Sequence, residues 1–283
     1  MQPWKILTGK DCGQVNRVVS ANWQAGSWRA SDLKNRIRET WAENRPVVNG
    51  WLSIPSTVTA EINARAGFDS LTVDLQHGLN DYQSALNLLQ IISIGKSAPL
   101  ARVPWLEPGI VGKLLDAGAV GLICPMINSA EDAARLVRYA LYAPTGERSF
   151  GPTRAIMAHG PDYAQTANEQ IVTLAMVETK QALDELDGIV TTSGLTGVYI
   201  GPSDLSLSMG YTPKLDPDEP AVVSAIQRIL ETAKTAGIRA GIHCLSPAYA
   251  REMISMGFDL VTVGSDVRLL TSATAAALEA VRS

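Results

Sequence analysis

Short apolar runs alternate with helical patterns over most of this 283-residue chain. Several runs, such as residues 122–125, are almost continuously apolar, which is typical of strands that are covered on both faces. Helix-start signals stand between the runs, for example Ser129 before the acidic residues Glu131 and Asp132. This alternation indicates βαβ units and a parallel sheet. The eight predicted strands cover residues 47–54, 70–76, 98–103, 121–126, 171–178, 197–201, 239–244 and 260–263.

Eight strand–helix units favour a closed (β/α)8 TIM barrel over an open sheet. The chain also lacks the glycine fingerprint and the P-loop of nucleotide-binding sheets. Its length fits one barrel of about 250 residues plus an extension. We therefore predict an N-terminal extension over residues 1–32 and a barrel domain over residues 33–283. The extension carries Trp4, Trp23 and Trp28, and we expect it to pack on the barrel or on a neighbouring subunit.

A long connection over residues 143–168 interrupts the regular alternation. It is rich in Gly, Pro, Ser and Thr, and long connections in compact domains are usually functional or mobile. Its segment from Arg148 to Arg154 is compatible with a lid, with a second anion site or with a solvated loop. The sequence leaves these interpretations open.

Composition excludes several classes of protein. The net charge is −4 with scattered Lys and Arg, so we expect no nucleic-acid surface. The longest apolar stretches have strand length, far below the roughly 20 residues that cross a bilayer, so we expect no membrane span. Residues 1–5 show no apolar signal core. Three scattered cysteines, of which Cys124 and Cys244 fall in apolar runs, indicate buried thiols and a reducing cytoplasm.

Polar side chains stand where four of the apolar runs end. They are Asp74 with His77, then Arg102, Glu178 and Asp204. If the runs are parallel strands of one barrel, these groups emerge at the same rim, where barrels keep their active sites. A base, a cation and two carboxylates at one mouth predict a metal-enolate site.

Each group also has a plainer interpretation. Glu178 and Asp204 fit a divalent metal such as Mg²⁺ or Mn²⁺, but acids also cap helices often. Asp74 is placed to orient His77, which is otherwise a hydrogen-bonded loop histidine. Arg102 suits a carboxylate or a developing oxyanion, yet a surface ion pair is an alternative.

Three further sequence features concern the remaining candidates. The strand-to-helix turn at Gly201, Pro202 and Ser203 permits close backbone approach by a substrate carboxylate. His159 lies in the long connection, and His243 lies near the end of the seventh run, where a buried structural role fits it. We leave both histidines outside the predicted catalytic set.

Together these motifs resemble the HpcH/HpaI aldolase family of class II pyruvate aldolases, which includes 2,4-dihydroxyhept-2-ene-1,7-dioate aldolase. The resemblance runs from about residue 33 to the C-terminus. It is carried, in order, by Ala66-Gly67-Phe68-Asp69, Asp74-Leu75-Gln76-His77-Gly78, Arg102-Val103-Pro104, Leu115-Asp116-Ala117-Gly118-Ala119, Pro125-Met126, Val177-Glu178-Thr179 and Ile200-Gly201-Pro202-Ser203-Asp204-Leu205.

The resemblance implies Mg²⁺, Mn²⁺ or Co²⁺ at Glu178 and Asp204, with pyruvate or a related 2-oxo acid as substrate and an aldehyde as its partner. Arg102 would stabilise the enolate. His77 would move protons, paired with Asp74 or with a neighbouring subunit's carboxylate. The family is usually hexameric with the last helix exchanged, so a trimer or hexamer is expected.

The same resemblance implies the remaining site residues. Asp116 would be the carboxylate that a neighbouring subunit supplies to His77. Backbone amides at Ser203 and Asp204 would hold the substrate carboxylate. The predicted substrate-binding residues are Trp51, Met176, Gly201, Pro202 and Ser203.

Two positions depart from the family pattern. Met176 stands where many members have glutamine, and Gln76 stands where glutamate is common. The predicted activity is reversible cleavage of 4-hydroxy-2-oxo acids to pyruvate or hydroxypyruvate and an aldehyde. A 2-oxo-acid decarboxylase or a macrophomate-synthase-like enzyme could use the same site, and a non-catalytic barrel scaffold is the alternative from another class.

Overall fold

The computed structural model describes residues 35–283, which form a closed barrel of eight parallel strands in the order β1 to β8. β1 closes the barrel by pairing with β8. The predicted (β/α)8 barrel is confirmed, whereas the extension over residues 1–32, the boundary at residue 33 and Cys12 lie outside the described residues. The strands are β1 Val47–Leu52, β2 Ser70–Asp74, β3 Ala98–Arg102, β4 Gly121–Cys124, β5 Val172–Val177, β6 Gly197–Ile200, β7 Arg239–Cys244 and β8 Leu260–Val263.

Helices cover the outside of the barrel, and their ends follow the signals in the sequence. Ser129 Oγ accepts a hydrogen bond from the Asp132 amide, and Gly67 ends a helix in the left-handed conformation. The helices are Arg36–Ala42, Thr57–Ala66, Tyr82–Ile94, Pro108–Asp116, Ala130–Ala140, Thr153–His159, Tyr163–Gln170, Lys180–Asp184, Leu186–Val190, Pro202–Ser208, Pro220–Thr235, Pro247–Met256 and Asp266–Arg282.

Burial on both faces explains the apolar strands. Every residue of β2, β3, β4, β5 and β6 is buried, because one face meets the barrel interior and the other meets the helices. Cys124 and Cys244 are buried free thiols, as predicted. None of the helices within residues 35–283 combines the length and apolar composition needed to cross a membrane.

The first strand ends earlier than predicted. β1 stops at Leu52 rather than at residue 54, because the amides of Ser53 and Ile54 donate to the carboxylate of Asp266 at 2.9 and 3.1 Å. Those amides leave the strand ladder and tie the end of β1 to the start of the last helix. The segment that follows β5 forms two short helices, Lys180–Asp184 and Leu186–Val190.

The connection over residues 143–168 contains the helix Thr153–His159 and most of the helix Tyr163–Gln170, whereas Ser149, Phe150 and Gly151 form an exposed loop. Arg148 is buried there, lies 2.6 Å from a carboxylate oxygen of Asp116 and stacks on the rings of Tyr142 and Tyr163. Its charge is therefore paired with Asp116 inside the protein. An anion site at Arg148 does not agree with these contacts, whereas the lid interpretation of residues 148–154 stays a prediction.

Candidate active site

The carboxyl ends of the strands enclose a cavity of about 320 Å³. Four of the predicted catalytic and metal residues line it: His77, Arg102, Glu178 and Asp204. The predicted substrate-binding residues Trp51, Met176, Gly201 and Ser203 line it as well. The barrel thus brings together side chains from β1, β3 and β5 with residues of the segments that follow β2, β5 and β6.

Arg102 is fixed by Asp74, its register partner on the neighbouring strand. Arg102 Nε donates to Asp74 Oδ1 at 2.8 Å and Nη2 donates to Oδ2 at 2.7 Å, which is a bidentate ion pair. Trp51 Nε1 donates to Oδ2 at 3.2 Å, and the Arg102 guanidinium lies 4.8 Å from the Trp51 ring centroid. Burial raises the pKa of Asp74, but the hydrogen bonds and charge of Arg102 outweigh it, so the pKa lies below its ordinary value.

Asp74 does not orient the His77 imidazole. Its Oδ1 accepts hydrogen bonds from the backbone amides of Gln76 at 3.0 Å and His77 at 3.3 Å, while its remaining contacts go to Arg102 and Trp51. The His77 side chain is exposed to solvent. Within this chain the first of the two predicted pairings is therefore wrong. Asp116 binds Arg148 of its own chain and keeps a side chain that is about one-third exposed.

Glu178 and Asp204 form the acidic side of the cavity. Glu178 is buried directly after β5, and its Oε1 accepts a hydrogen bond of 2.8 Å from the Met126 amide. Burial raises the pKa of Glu178 to about 7; the Met126 hydrogen bond opposes this rise and the nearby Asp204 charge adds to it. Asp204 lies in the first turn of the helix Pro202–Ser208 and is exposed to solvent.

This pair fits a divalent cation. Two carboxylates that repel each other at one cavity wall are relieved when a cation binds between them. Gly201 leaves space for the pair, since a Cβ there would lie 2.3 Å from Glu178 Oε2. In residues 35–283 no three His, Cys, Asp or Glu side chains converge as a metal cage. Mg²⁺ commonly binds one or two carboxylates and completes its shell with water and substrate oxygens.

His243 also lines the cavity, although it is not among the predicted catalytic residues. Its ring lies edge-on to Trp51 at 4.7 Å between centroids, and its Nδ1 lies 3.1 Å from the Tyr199 hydroxyl. Burial lowers the pKa of His243 to about 3, and the Arg102 charge lowers it further, so the imidazole is neutral. The alternation of side chains along β7, which places Gly241 and His243 on one face, was the signal that could have found it.

These strand-end groups define a (β/α)8-barrel enzyme whose cavity holds an arginine beside an acidic pair. The model of the HpcH/HpaI aldolase/citrate lyase family matches residues 50–273. The chain belongs to this family. It is a carbon–carbon lyase of the class II aldolase type.

Individual relatives agree with this assignment. A hydroxypyruvate/pyruvate aldolase from Rhizorhabdus wittichii is 42% identical over 239 residues, which are 84% of this chain and 95% of that protein. A 4-hydroxy-2-oxo-heptane-1,7-dioate aldolase from Shigella sonnei is 36% identical, over 86% of this chain and 94% of its own. The crystal structure of an HpcH/HpaI aldolase/citrate lyase family protein from Burkholderia cenocepacia J2315 superposes with a TM-score of 0.82 at 36% identity, covering 88% and 100% of the two chains.

Proposed function

We propose that this aldolase depends on a divalent metal and reversibly cleaves 4-hydroxy-2-oxo acids to pyruvate or hydroxypyruvate and an aldehyde. The observation that carries the proposal is the presence of Glu178, Asp204 and Arg102 on the walls of one cavity. The names of the relatives from Rhizorhabdus wittichii and Shigella sonnei support this choice of substrates.

Glu178 and Asp204 would hold the metal, which we propose to be Mg²⁺, Mn²⁺ or Co²⁺. Once bound, such an ion supplies Lewis-acid chemistry that makes a proton next to a carbonyl easier to remove. Burial and the Asp204 charge raise the pKa of Glu178 because they disfavour its ionised carboxylate. A bound cation would favour the ionised form, and this supports a cation site at Glu178. Gly201, Pro202 and Ser203 would approach the substrate carboxylate where the chain turns into the following helix.

Arg102 would stabilise the negative oxygen of the enolate and of the aldol adduct. Asp74 accepts hydrogen bonds from Nε and from one Nη2 hydrogen of Arg102, and no described residue accepts a hydrogen bond from Nη1 of Arg102. An arginine carries five N–H groups in a rigid fork, so donors remain for a substrate oxygen. Because Asp74 fixes the guanidinium plane, these donors are oriented before the substrate binds.

His77 would transfer protons at the cavity mouth. It is exposed in the single chain, and the Asp74 carboxylate does not orient the His77 imidazole. Asp116 of a neighbouring subunit would provide that carboxylate, in agreement with the partial exposure of Asp116. His77 would then be a complete acid–base group only in the assembled protein.

A homo-oligomer, a trimer or a hexamer, would cover the last helix, Asp266–Arg282. From Val267 onward every residue of that helix is exposed, including Leu270 at 58% and Val281 at 86%. A largely uncovered amphipathic helix is typical of an element that packs on another chain. We further propose that the protein acts in the cytoplasm, where the free thiols Cys124 and Cys244 would persist.

The proposal is tested by incubating the protein with pyruvate or hydroxypyruvate and a panel of aldehydes, and by detecting new 4-hydroxy-2-oxo acids with mass spectrometry. Aldol products should form with Mg²⁺ or Mn²⁺, disappear after EDTA treatment and fail to form with Glu178→Gln. Release of CO₂ from oxaloacetate without any aldol product would instead identify a decarboxylase. A protein that acts on none of these compounds with added metal would be a binding scaffold.

A further inference from the structure

A chain of hydrogen-bonded polar side chains runs through the barrel interior to the active-site cavity. Barrel interiors are normally filled by branched apolar side chains, and a polar group that is buried without a hydrogen-bond partner destabilises the fold. The mechanism proposed above uses none of these hydrogen-bonded side chains. From the inner end to the cavity they are Ser70 and Thr72, then Asn49, Thr262, Tyr199 and His243.

The inner end of the chain has a defined direction. Ser70 Oγ and Thr72 Oγ1 both donate to Asn49 Oδ1, at 2.8 and 3.1 Å. This fixes the orientation of the Asn49 amide, whose Nδ2 donates to Thr262 Oγ1 at 2.9 Å. All four residues are completely buried, so no solvent competes for these hydrogen bonds.

The same direction continues to the cavity. Thr262 Oγ1 lies 2.7 Å from the Tyr199 hydroxyl, and no other acceptor for its hydrogen is present among residues 35–283. If Thr262 donates to Tyr199, then Tyr199 donates to His243 Nδ1 at 3.1 Å, and every hydroxyl hydrogen has an acceptor. The opposite direction leaves the Thr262 hydrogen buried without a partner, which is unfavourable.

This arrangement selects one tautomer of His243. A neutral imidazole has a single N–H, so an accepting Nδ1 places that hydrogen on Nε2. In the described part of the chain, Nε2 has no hydrogen-bond partner, and His243 lines the cavity with Arg102 and Glu178. Ring contacts with Trp51 restrict how the imidazole can turn.

We propose that His243 is a specificity-determining residue whose Nε2–H, oriented by Tyr199 and Thr262, donates to the hydroxyl group on C3 of hydroxypyruvate. Pyruvate has no hydroxyl there, so the contact would favour the hydroxylated donor. Apolar Met176, on the wall formed by β5, offers no hydrogen bond that could replace it. This inference rests on the proposed function, because it concerns the 2-oxo acid of that same reaction.

The test compares hydroxypyruvate with pyruvate as donors in the full-length protein with Mg²⁺. Proton exchange at C3 is followed by NMR in D₂O for each acid, and the ratio of the two rates is the readout. His243→Leu should lower the hydroxypyruvate-to-pyruvate ratio about tenfold, which corresponds to the loss of one hydrogen bond of about 1.4 kcal/mol. Cys244→Ala, which truncates a buried neighbour on the same strand outside the cavity, should leave the ratio unchanged.

Tyr199→Phe tests the positioning role and also serves if His243→Leu does not fold. It removes the hydroxyl that fixes the tautomer, so the ratio should fall. In ¹⁵N-histidine NMR spectra, the His243 nitrogen shifts should move from a single Nε2–H form to a mixture of tautomers. Unchanged shifts in Tyr199→Phe would overturn the orienting role.

Two outcomes separate this inference from the proposed function. Equal loss of exchange with both acids in His243→Leu, or an unchanged ratio, would overturn the specificity role while the aldolase function stands. Absence of exchange with either acid in the wild-type protein would contradict the proposed function itself.

Discussion

Asp74 and Arg102 face each other on neighbouring strands and are joined by two hydrogen bonds, of 2.8 and 2.7 Å. Both side chains are nearly buried, with 3% and 11% of their surfaces exposed. The pair therefore does not act as a surface ion pair, which is worth little. It holds a guanidinium in one orientation at the cavity wall, and the first prediction follows from it.

Asp74→Asn should destabilise the protein and inactivate it. Removing one charge from a buried pair leaves the other uncompensated, which costs about 3–5 kcal/mol of the free energy of unfolding. Misplacement of the guanidinium should lower kcat by about 10²-fold. Urea unfolding and steady-state kinetics measure the two effects.

Asp81→Asn is the matched control, because Asp81 is an exposed N-cap residue and asparagine caps helices equally well. If Asp74→Asn behaved like this control, the ion pair would have no positioning role.

The lowered pKa of Asp74 also sets the pH range over which the ion pair stabilises the fold. The pair stabilises the fold fully above the ordinary value of 3.8, and that contribution is lost as the pH falls through the lower folded-state pKa.

Metal binding should be strongly pH-dependent because Glu178 must lose its proton. With a pKa of about 7, the apparent affinity for Mn²⁺ should rise about tenfold per pH unit below pH 7 and then level off. The raised pKa means that the protonated carboxyl stabilises the metal-free fold fully below about pH 4.5. That contribution is lost as the pH rises through 7.

Thermal unfolding with and without Mn²⁺ at pH 5.5 and pH 8 measures this linkage. Mn²⁺ should raise Tm more at pH 8 than at pH 5.5, and Glu178→Gln should abolish the difference. Equal increases at the two pH values in the wild-type protein would show that Glu178 does not bind the metal.

Gly201→Ala should weaken metal binding through steric contact alone. Its added methyl group would lie 2.3 Å from Glu178 Oε2 and 3.0 Å from Met176 Cε. The φ of Gly201 is −99°, which alanine adopts without strain. Calorimetric titration with Mn²⁺ should show an affinity at least about tenfold lower, equivalent to about 1.4 kcal/mol.

Gly112→Ala is the control for that experiment. Apart from the backbone of its own helix and its two chain neighbours, no atom lies within 4 Å of a Cβ built there, and its helical position predicts a gain of about 0.5–1 kcal/mol in stability. Mn²⁺ affinity should not change in this variant. An unchanged affinity in Gly201→Ala as well would remove Glu178 from the metal site.

The last helix should be an assembly surface. Val267, Leu270, Leu278 and Val281 recur at helical spacing on one face, with 41–86% of their surfaces exposed. The double variant Leu270→Glu and Leu278→Glu should reduce the molar mass measured by light scattering to that of a monomer. Ser272→Glu, on the polar face, should leave the assembly intact, and an unchanged mass in the double variant would place the interface elsewhere.

The fold could be predicted because burial on both faces of each strand leaves a strong pattern in the sequence. The strand ends were less accessible to prediction, since they depend on distant residues. Ser53 and Ile54 leave the ladder because Asp266, more than 200 positions later, accepts their amide hydrogens. The helix Thr153–His159 was missed because its flanking Gly and Pro residues resemble a loop.

The candidate site shows the same division. Glu178, Asp204 and Arg102 follow apolar runs, and parallel strands bring such residues to one rim. The sequence indicated that Asp74 lies near His77 but not that Arg102 would take both carboxylate oxygens. His243 was assigned to the interior because β7 is mostly apolar, and its partner Tyr199 lies 44 positions away on another strand.

Deuterium incorporation at C3 of pyruvate and hydroxypyruvate, followed by NMR in D₂O, tests whether the protein forms a metal-dependent enolate. It reports enolate formation and needs no aldehyde. We expect exchange that requires Mg²⁺ or Mn²⁺, stops after EDTA treatment, returns when metal is added and is absent in Glu178→Gln. Exchange that continues at the wild-type rate in EDTA-treated Glu178→Gln would contradict a metal-dependent enolate at this site.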